Sequence, residues 1–226
     1  MSAREAVADA IDGEDQARAD MYALLATLFL QPPSQGLLTA LGLAAPLPAA
    51  AGDQALVQSW ARLVQAAGET NEQTATACFN ALFVSVGTPH INPNGSQYLA
   101  GFLMEKPLAA LRDDLHALGL GRTEGSRELE DHLGALCEIM RLLIAGTVNL
   151  PARGLAEQRT FFIKHIAPWY RRCLDDIRRL DNASFYARLA DFAQVFLDVE
   201  FEAFHFEDAP ESGNQPIIAS AEDQHA

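Results

Sequence analysis

The chain has 226 residues, which is the size of one domain or at most two small ones. Hydrophobic residues make up 49% of it, so a wholly disordered chain is excluded. The formal net charge of −14 excludes a nucleic-acid-binding protein of the usual kind, which needs a basic surface to meet phosphates. Part of the acidity lies at the two ends. We expect a flexible acidic N-terminal segment (1–14), a helical domain (15–206) and a disordered acidic tail (207–226).

Targeting and redox signals indicate a cytoplasmic protein. The N-terminus is acidic and lacks the apolar run of a secretory signal, and the apolar stretch 21–30 is too short to span a bilayer. Cys78, Cys137 and Cys173 are widely spaced and odd in number, which indicates reduced thiols rather than disulfides. We therefore expect cytoplasmic localisation and no stable membrane insertion.

The first half of the chain shows helical periodicity. The apolar residues of the first helix recur at three- and four-residue intervals, and Pro32-Pro33 ends it. A loop then separates the second predicted helix from the third. The predicted helices of this half are 17–30, 35–42, 53–67 and 72–86.

The second half opens with an irregular stretch, GTPHINPNGSQ (87–97), whose prolines, glycines and asparagines exclude a regular element. The helices predicted after it are 98–118, 127–146, 155–180 and 184–205. Pro107 is expected to break or restart the first of these. Pro168 divides the third and suits the first turn of its second part. Since no alternating strand pattern appears, the sequence predicts an all-α, single-domain helical bundle.

The motif ELEDH (128–132) precedes a long apolar run. With Ser126 as N-cap, its acidic residues would lie in the first turn of a helix, where the helix dipole favours anions. That interpretation explains Glu128 and Asp131 but not His132, which would lie on the apolar side of the helix. A histidine in that position is more often a core residue than a ligand.

Metal binding is the enzyme-like alternative. Glu128 and His132 are four residues apart, and Glu202 and His205 form a Glu-x-x-His motif, so a metal-dependent helical oxidoreductase remains open. A ferritin-like site would need two such motifs and further glutamates, and the chain also lacks a Gly-x-Ser-x-Gly nucleophile motif. We expect no catalytic residue, no metal and no cofactor. A purely structural or interaction module is a second alternative.

The stripe FNALF (79–83) places Phe79, Leu82 and Phe83 on one helix face. Such a stripe is usually core. If part of it lines a binding groove, we expect Phe79→Ala to weaken binding and Phe83→Ala to weaken stability.

Together, FNALF, NPNGSQYL and ELEDH resemble the signatures of the TorD/DmsD/NarJ-type molybdoenzyme maturation chaperones, in the family's order and spacing. RADMYALLATLFLQPP is similar to that family's first helix, FIKHIAPWYRRCL to a late segment and SFYARLADFAQVFLDVE to its last helix. The resemblance covers roughly residues 15–205. Leu129 departs from the proline of the signature, and Asn94 departs from an aromatic residue that several members carry.

The resemblance implies a non-enzymatic cytoplasmic chaperone of the TorD/DmsD fold type. It would bind the twin-arginine signal peptide, or another N-terminal segment, of a molybdenum or tungsten oxidoreductase catalytic subunit until the cofactor is inserted. General similarity favours a formate-dehydrogenase-like client, and the chaperone would be a monomer or a helix-swapped dimer. The peptide-binding residues implied are Phe79, Leu82, Phe83, Pro93, Asn94, Ser96, Tyr98, Glu128, Asp131 and His132.

Overall fold

The computed structural model describes residues 13–48, 54–84, 89–122, 128–180 and 184–206. Within these ranges the chain forms ten α-helices and no β-strand, which confirms the all-α prediction. The helices are Gly13–Leu30 (α1), Gln35–Gly42 (α2), Gln54–Glu69 (α3), Glu72–Phe79 (α4), Gly95–Ala100 (α5), Lys106–Ala117 (α6), Leu133–Ala145 (α7), Leu155–His165 (α8), Tyr170–Arg179 (α9) and Ser184–Phe206 (α10). The tail 207–226, most of the segment 1–14 and Ser126 lie outside the described residues.

Helix α10 is the longest, with 23 residues, and it packs against α3, α4, α8 and α9. Its aromatic side chains pack against α3 and also against α1. Phe192 lies 5.2 Å from the ring of Trp60 on α3, and Phe196 lies 4.9 Å from Tyr22 on α1. Rings at this separation add to the stability that their burial provides. Among the described helices, none is long and apolar enough to cross a membrane.

A close approach between α1 and α7 depends on Gly134, in the first turn of α7. A Cβ at this position would lie 2.7 Å from Cγ of Leu30 and 3.1 Å from the carbonyl oxygen of Ala26. Any larger residue would therefore push α1 away. The contact fixes the start of α7, which directly follows the motif residues described below.

A buried ion pair joins α1 to α10. The Arg18 guanidinium donates two hydrogen bonds of 2.8 Å to the two carboxylate oxygens of Glu200, and Tyr22 donates a third bond to that carboxylate. Arg18 also donates to Asp15 and Gln158. Because both charges are bonded at several atoms, the cost of burying them is offset.

Three predicted elements differ from the structure. The helix predicted at 72–86 is α-helical only to Phe79 and continues as a π-helical segment, Asn80–Val84. The helix predicted at 98–118 is two helices, α5 and α6, separated at 101–105, and Pro107 lies in the first turn of α6. Pro168 lies in the turn between α8 and α9, so its predicted place in the first turn of α9 is wrong.

The largest difference concerns ELEDH. Helix α7 begins at Leu133, after the motif, so the predicted helix start at 127 is wrong. His132 is the N-cap of α7, and Asp131 precedes it in a turn. The acidic residues therefore do not occupy the first turn of a helix.

Candidate functional site

The proline-rich segment 89–96 links two of the predicted motifs. At one end, the N–H of Ile91 donates to the carbonyl of Leu82 at 3.0 Å. At the other, the carbonyl of Pro93 accepts from the N–H of Leu133 at 2.7 Å. The segment thus connects the π-helical end of FNALF to the start of α7, and it brings the loop residues against ELEDH.

Asp131 holds this loop in place. One carboxylate oxygen accepts from the backbone N–H of Ser96 at 2.7 Å, and the other accepts from the side-chain amide of Asn94 at 3.1 Å. Its backbone carbonyl accepts from the N–H of Gly95 at 2.9 Å. Asp131 is only 3% exposed. Its carboxylate therefore satisfies the first turn of α5 from a distant part of the chain, the role that a capping side chain normally fills locally.

His132 performs the matching role for α7. Its Nδ1 accepts a hydrogen bond of 3.1 Å from the N–H of Gly134, and its backbone pairs with Asn94 in an isolated bridge. An accepting Nδ1 requires the neutral ring. Burial lowers the pKa of His132 to about 4, against the opposing effect of the Asp131 charge. Asp131 and His132 are thus adjacent residues that cap two different helices.

The other acids of the motif lie nearer the surface. Glu128 is exposed, and Glu130 pairs with Arg112 on α6, with a nitrogen–oxygen distance of 2.9 Å. Among the residues predicted to bind a peptide, Glu128 is therefore the one whose side chain is open to solvent. Pro93, Asn94, Ser96, Asp131 and His132 are buried and join the loop to the start of α7.

The FNALF stripe is mainly core. Phe79 and Leu82 are buried, whereas Phe83 is half-buried. The rings of Phe79 and Phe83 lie 5.1 Å apart, and Phe83 packs edge-on against Tyr186 of α10 at 5.6 Å. Because Phe79 is more buried than Phe83, the expectation that Phe79→Ala leaves stability largely intact is not supported.

Tyr98, another predicted site residue, is half-buried against α9. Its ring stacks on Trp169 with centroids 5.5 Å apart, and its hydroxyl donates to Asp176 at 3.1 Å. The indole N–H of Trp169 donates to the carbonyl of His165 at 2.7 Å. A Cβ on Gly95 would come within 3.2 Å of that indole nitrogen, so the loop passes directly over the tryptophan.

An open cleft of about 200 Å³ lies between α5, α6 and α8, with Asp131 at its wall. At its polar end, one carboxylate oxygen of Asp114 lies 2.6 Å from both Lys164 Nζ and His165 Nε2. Burial lowers the pKa of His165, although its hydrogen bond to Asp114 acts in the opposite sense. The cleft is lined by Gly95, Leu99, Pro107, Ala110, Leu111, Asp131, Lys164 and His165.

Sequence reasoning assigned no site role to Asp114, Lys164, His165 or Leu99. A signal existed for two of them, because Lys164 and His165 belong to FIKHIAPWYRRCL, one of the segments that resembles the chaperone family. Nothing local marks Asp114 or Leu99. Leu99 lines the cleft because α5 and α6 pack together, and Asp114 reaches it only through its contacts with Lys164 and His165.

A larger groove, of about 520 Å³, lies between α3, α4 and the start of α10. Polar and charged residues line it, including Arg62, Glu69 and Arg188. None of its described lining residues belongs to FNALF, NPNGSQYL or ELEDH, and Arg188 alone lies in a segment that resembles the family, its last helix. We therefore place the candidate site at the smaller cleft, where the motifs meet.

The geometry removes the basis of the metal alternative. Residues 128–132 are not helical, so Glu128 and His132 do not share a helix face, and Nδ1 of His132 is already bonded to the backbone. Nδ1 of His205 lies 2.8 Å from the carbonyl oxygen of Phe201. Across the described ranges, no group of three or more His, Cys, Asp or Glu side chains is placed to hold a metal ion.

An all-helical bundle with a partly apolar cleft between three helices is the architecture of a helical binding protein. The sequence model of one family, the nitrate reductase delta subunit, matches residues 49–175, which is more than half of the chain. The chain therefore belongs to this family of NarJ- and TorD-type molybdoenzyme maturation chaperones, which are not enzymes. Comparison with individual curated protein sequences gives no match.

The family match confirms the resemblance found in the sequence, and it gives the protein a molybdoenzyme catalytic subunit as its partner. The matched range contains FNALF, the proline-rich loop, ELEDH and FIKHIAPWYRRCL. It therefore covers every segment that contributes to the cleft.

Proposed function

We propose that this protein is a cytoplasmic chaperone that binds the N-terminal signal peptide, of the twin-arginine type, of one molybdenum or tungsten oxidoreductase catalytic subunit. The chaperone holds that peptide until the cofactor has been inserted and then releases the subunit for export or assembly. Family membership supports the general role. The finer assignment, to a signal peptide, is our own.

The observation that carries the proposal is that three separate segments, NPNGSQYL, ELEDH and FIKHIAPWYRRCL, each supply lining residues to one open cleft. The loop 89–96 is bonded to Leu82 on one side and to Leu133 on the other, and Asp131 lies both in this network and at the cleft wall. A peptide site needs a shaped wall held rigidly by bonds that the ligand does not supply.

Charge is consistent with a peptide that carries arginines. The formal net charge of −14 favours association with a basic segment. We assign the direct contact with such a segment to the exposed Glu128, and we assign Asp131 and His132 to shaping the wall. Peptide contacts by the half-buried Phe83 and Tyr98 are also part of the proposal.

The client is proposed on general similarity alone. A formate-dehydrogenase-like catalytic subunit is the first candidate, and the chaperone would act as a monomer or a helix-swapped dimer. Neither choice rests on a particular residue of the site.

The proposal can be tested by co-expression. Each molybdoenzyme catalytic subunit encoded in the same genome would be produced with the tagged chaperone, once with and once without its N-terminal peptide. We expect one subunit to co-purify, and only when it carries the peptide. If capture survives deletion of the peptide, signal-peptide binding is overturned, whereas the family's general chaperone role is not.

A further inference from the structure

The turn between α5 and α6 exposes a cluster of apolar side chains. The exposed fractions are 41% for Leu99, 71% for Phe102, 40% for Leu103 and 72% for Met104. These are four of the nine large hydrophobic side chains that are exposed in the described part of the chain, and they fall within six consecutive positions. Scattered exposed apolar residues need no explanation, but a contiguous group indicates an interaction surface. We call Leu99, Phe102, Leu103 and Met104 the turn patch.

The backbone of the turn is strained. Helix α5 ends at Gly101 with φ 84°, which a glycine adopts freely, but Met104 also has a left-handed backbone, with φ 61°. No other non-glycine residue in the described ranges has a positive φ. The left-handed backbone of Met104 costs conformational energy, and burial of its side chain does not offset that cost, because the residue is largely exposed. Strain of this kind concentrates where a surface serves a function.

The turn patch is continuous with the cleft. Leu99 belongs to both, and Pro107, which also lines the cleft, follows the turn by two residues. Apolar walls from Ala110 and Leu111 complete this side. A volume of about 200 Å³ equals that of roughly six or seven water molecules in the liquid, which is room for one large apolar side chain. The surface therefore offers a cleft that can hold one apolar side chain, directly beside the exposed apolar turn patch.

The FNALF stripe offers much less apolar surface, since Phe79 and Leu82 are buried in the core and the half-buried Phe83 packs on Tyr186. We infer that the turn patch and the cleft bind the apolar run of the client's N-terminal peptide, with one large side chain of that run in the cleft. This inference rests on the proposed function and locates its binding surface. Exposed methionine and phenylalanine suit the task, because they adapt to apolar partners of different shape.

Charge around this surface favours a basic peptide over a second copy of the chain. Glu105 ends the turn, and the exposed Glu128 precedes the wall residue Asp131 by three positions, whereas Glu130 is already paired with Arg112. The basic group at the cleft, Lys164, is already paired with Asp114. A signal peptide carries its positive charges directly before its apolar run, so they would face these acids. A second copy, with its own net charge of −14, would bring acid against acid.

The test uses the full-length chaperone and a synthetic peptide of about the first 30 residues of the catalytic subunit captured by co-expression. The variant Met104→Asn removes an exposed apolar group, and asparagine tolerates a left-handed backbone, so folding should not suffer. It is combined with Phe102→Ser. The matched control is Val148→Asn, at a fully exposed apolar residue on the 147–150 turn, outside the patch and the cleft.

We expect the double variant to keep the wild-type melting temperature and to bind the peptide about tenfold more weakly or worse in calorimetric titration. Val148→Asn should bind like the wild type. A second peptide, with its apolar run replaced by serines, should lose binding to the wild-type chaperone.

Each contrary result has its own meaning. Wild-type affinity in the double variant, or unchanged binding of the serine peptide, overturns the inference but leaves the proposed function intact. If the wild-type chaperone does not bind the first peptide, the proposed function itself fails. A double variant that changes only the sedimentation of the chaperone, from dimer to monomer, identifies the patch as a self-interface and overturns the inference.

Discussion

Asp131 and Ser96 are 35 residues apart in sequence and are joined by a 2.7 Å hydrogen bond from the Ser96 backbone to the Asp131 carboxylate. The acid of the motif is therefore a tertiary helix cap. Both carboxylate oxygens of Asp131 are bonded within the chain and the residue is 3% exposed, so the carboxylate is not presented to a signal-peptide arginine.

Asp131→Asn should therefore act first on stability. The side-chain amide of asparagine has only one accepting oxygen. Its N–H₂ group would therefore face a donor, either the Ser96 N–H or the Asn94 amide, and one hydrogen bond would be lost. We expect a loss of about 1–3 kcal/mol in the free energy of unfolding, measured by urea titration. Asp113→Asn, at an exposed aspartate of α6, is the matched control and should cost little. Wild-type stability combined with lost, salt-sensitive peptide binding would instead restore Asp131 as a direct contact.

His132 should make the fold sensitive to mild acid. Because its folded pKa of about 4 lies below the unfolded value of 6.5, the unfolded chain binds more protons as the pH falls through that window. Above pH 6.5 this group leaves the free energy of unfolding unchanged. Below pH 6.5 it lowers the free energy of unfolding, by about 2 kcal/mol at roughly pH 5. Urea titrations at a series of pH values measure the slope.

The variant His132→Asn isolates that effect. Asparagine is a good N-cap and can accept from Gly134, so stability near neutral pH should be close to wild type. The free energy of unfolding of the variant should fall less steeply as the pH is lowered. His165, whose pKa is also lowered by burial, contributes equally to the pH dependence of both proteins. Equal slopes for the two proteins would show that His132 does not carry the pH dependence.

Phe79→Ala should cost more stability than Phe83→Ala. Phe79 is 7% exposed and belongs to the core, whereas Phe83 is half-buried. We expect a loss of about 3–5 kcal/mol for Phe79→Ala and a smaller one for Phe83→Ala, from chemical denaturation. The reverse order would show that the stripe turns its first aromatic, not its second, towards the surface.

Arg18→Met should be strongly destabilising, because it leaves the Glu200 carboxylate buried without its cation. Removing one partner of a buried ion pair typically costs about 3–5 kcal/mol. The control Arg188→Met breaks an exposed pair with Asp191, worth about 0–1 kcal/mol. Thermal melts of both variants at one ionic strength would compare them. Similar melting temperatures would mean that the α1–α10 pair contributes no more than a surface pair.

Helix content was predictable because apolar spacing and the prolines are local signals. The first helix, predicted at 17–30, is α1, and the short helix predicted at 35–42 is α2. Each of these segments carries its own start and stop. The prediction of one continuous helix at 98–118 is wrong at Gly101. A glycine inside a helical pattern can be tolerated or can end the helix, and packing decides between these outcomes.

The candidate site was less predictable, because its bonds join distant segments. ELEDH reads locally as an acidic first turn, and only the bond from Ser96 to Asp131 shows that the acid belongs to another helix. Asn94, which departs from the aromatic residue of several family members, has a use here, since its amide donates to Asp131. Such a pairing cannot be derived from the spacing of either motif alone.

The contact between Tyr98 and Trp169 provides the site with an intrinsic optical probe. Trp169 lies under the loop glycine Gly95 and is bonded to the backbone of His165, and both of these residues line the cleft. The other tryptophan of the chain, Trp60, packs on Phe192 in the core. Occupation of the cleft would therefore alter the fluorescence of one indole and leave the other as an internal reference, without any attached label.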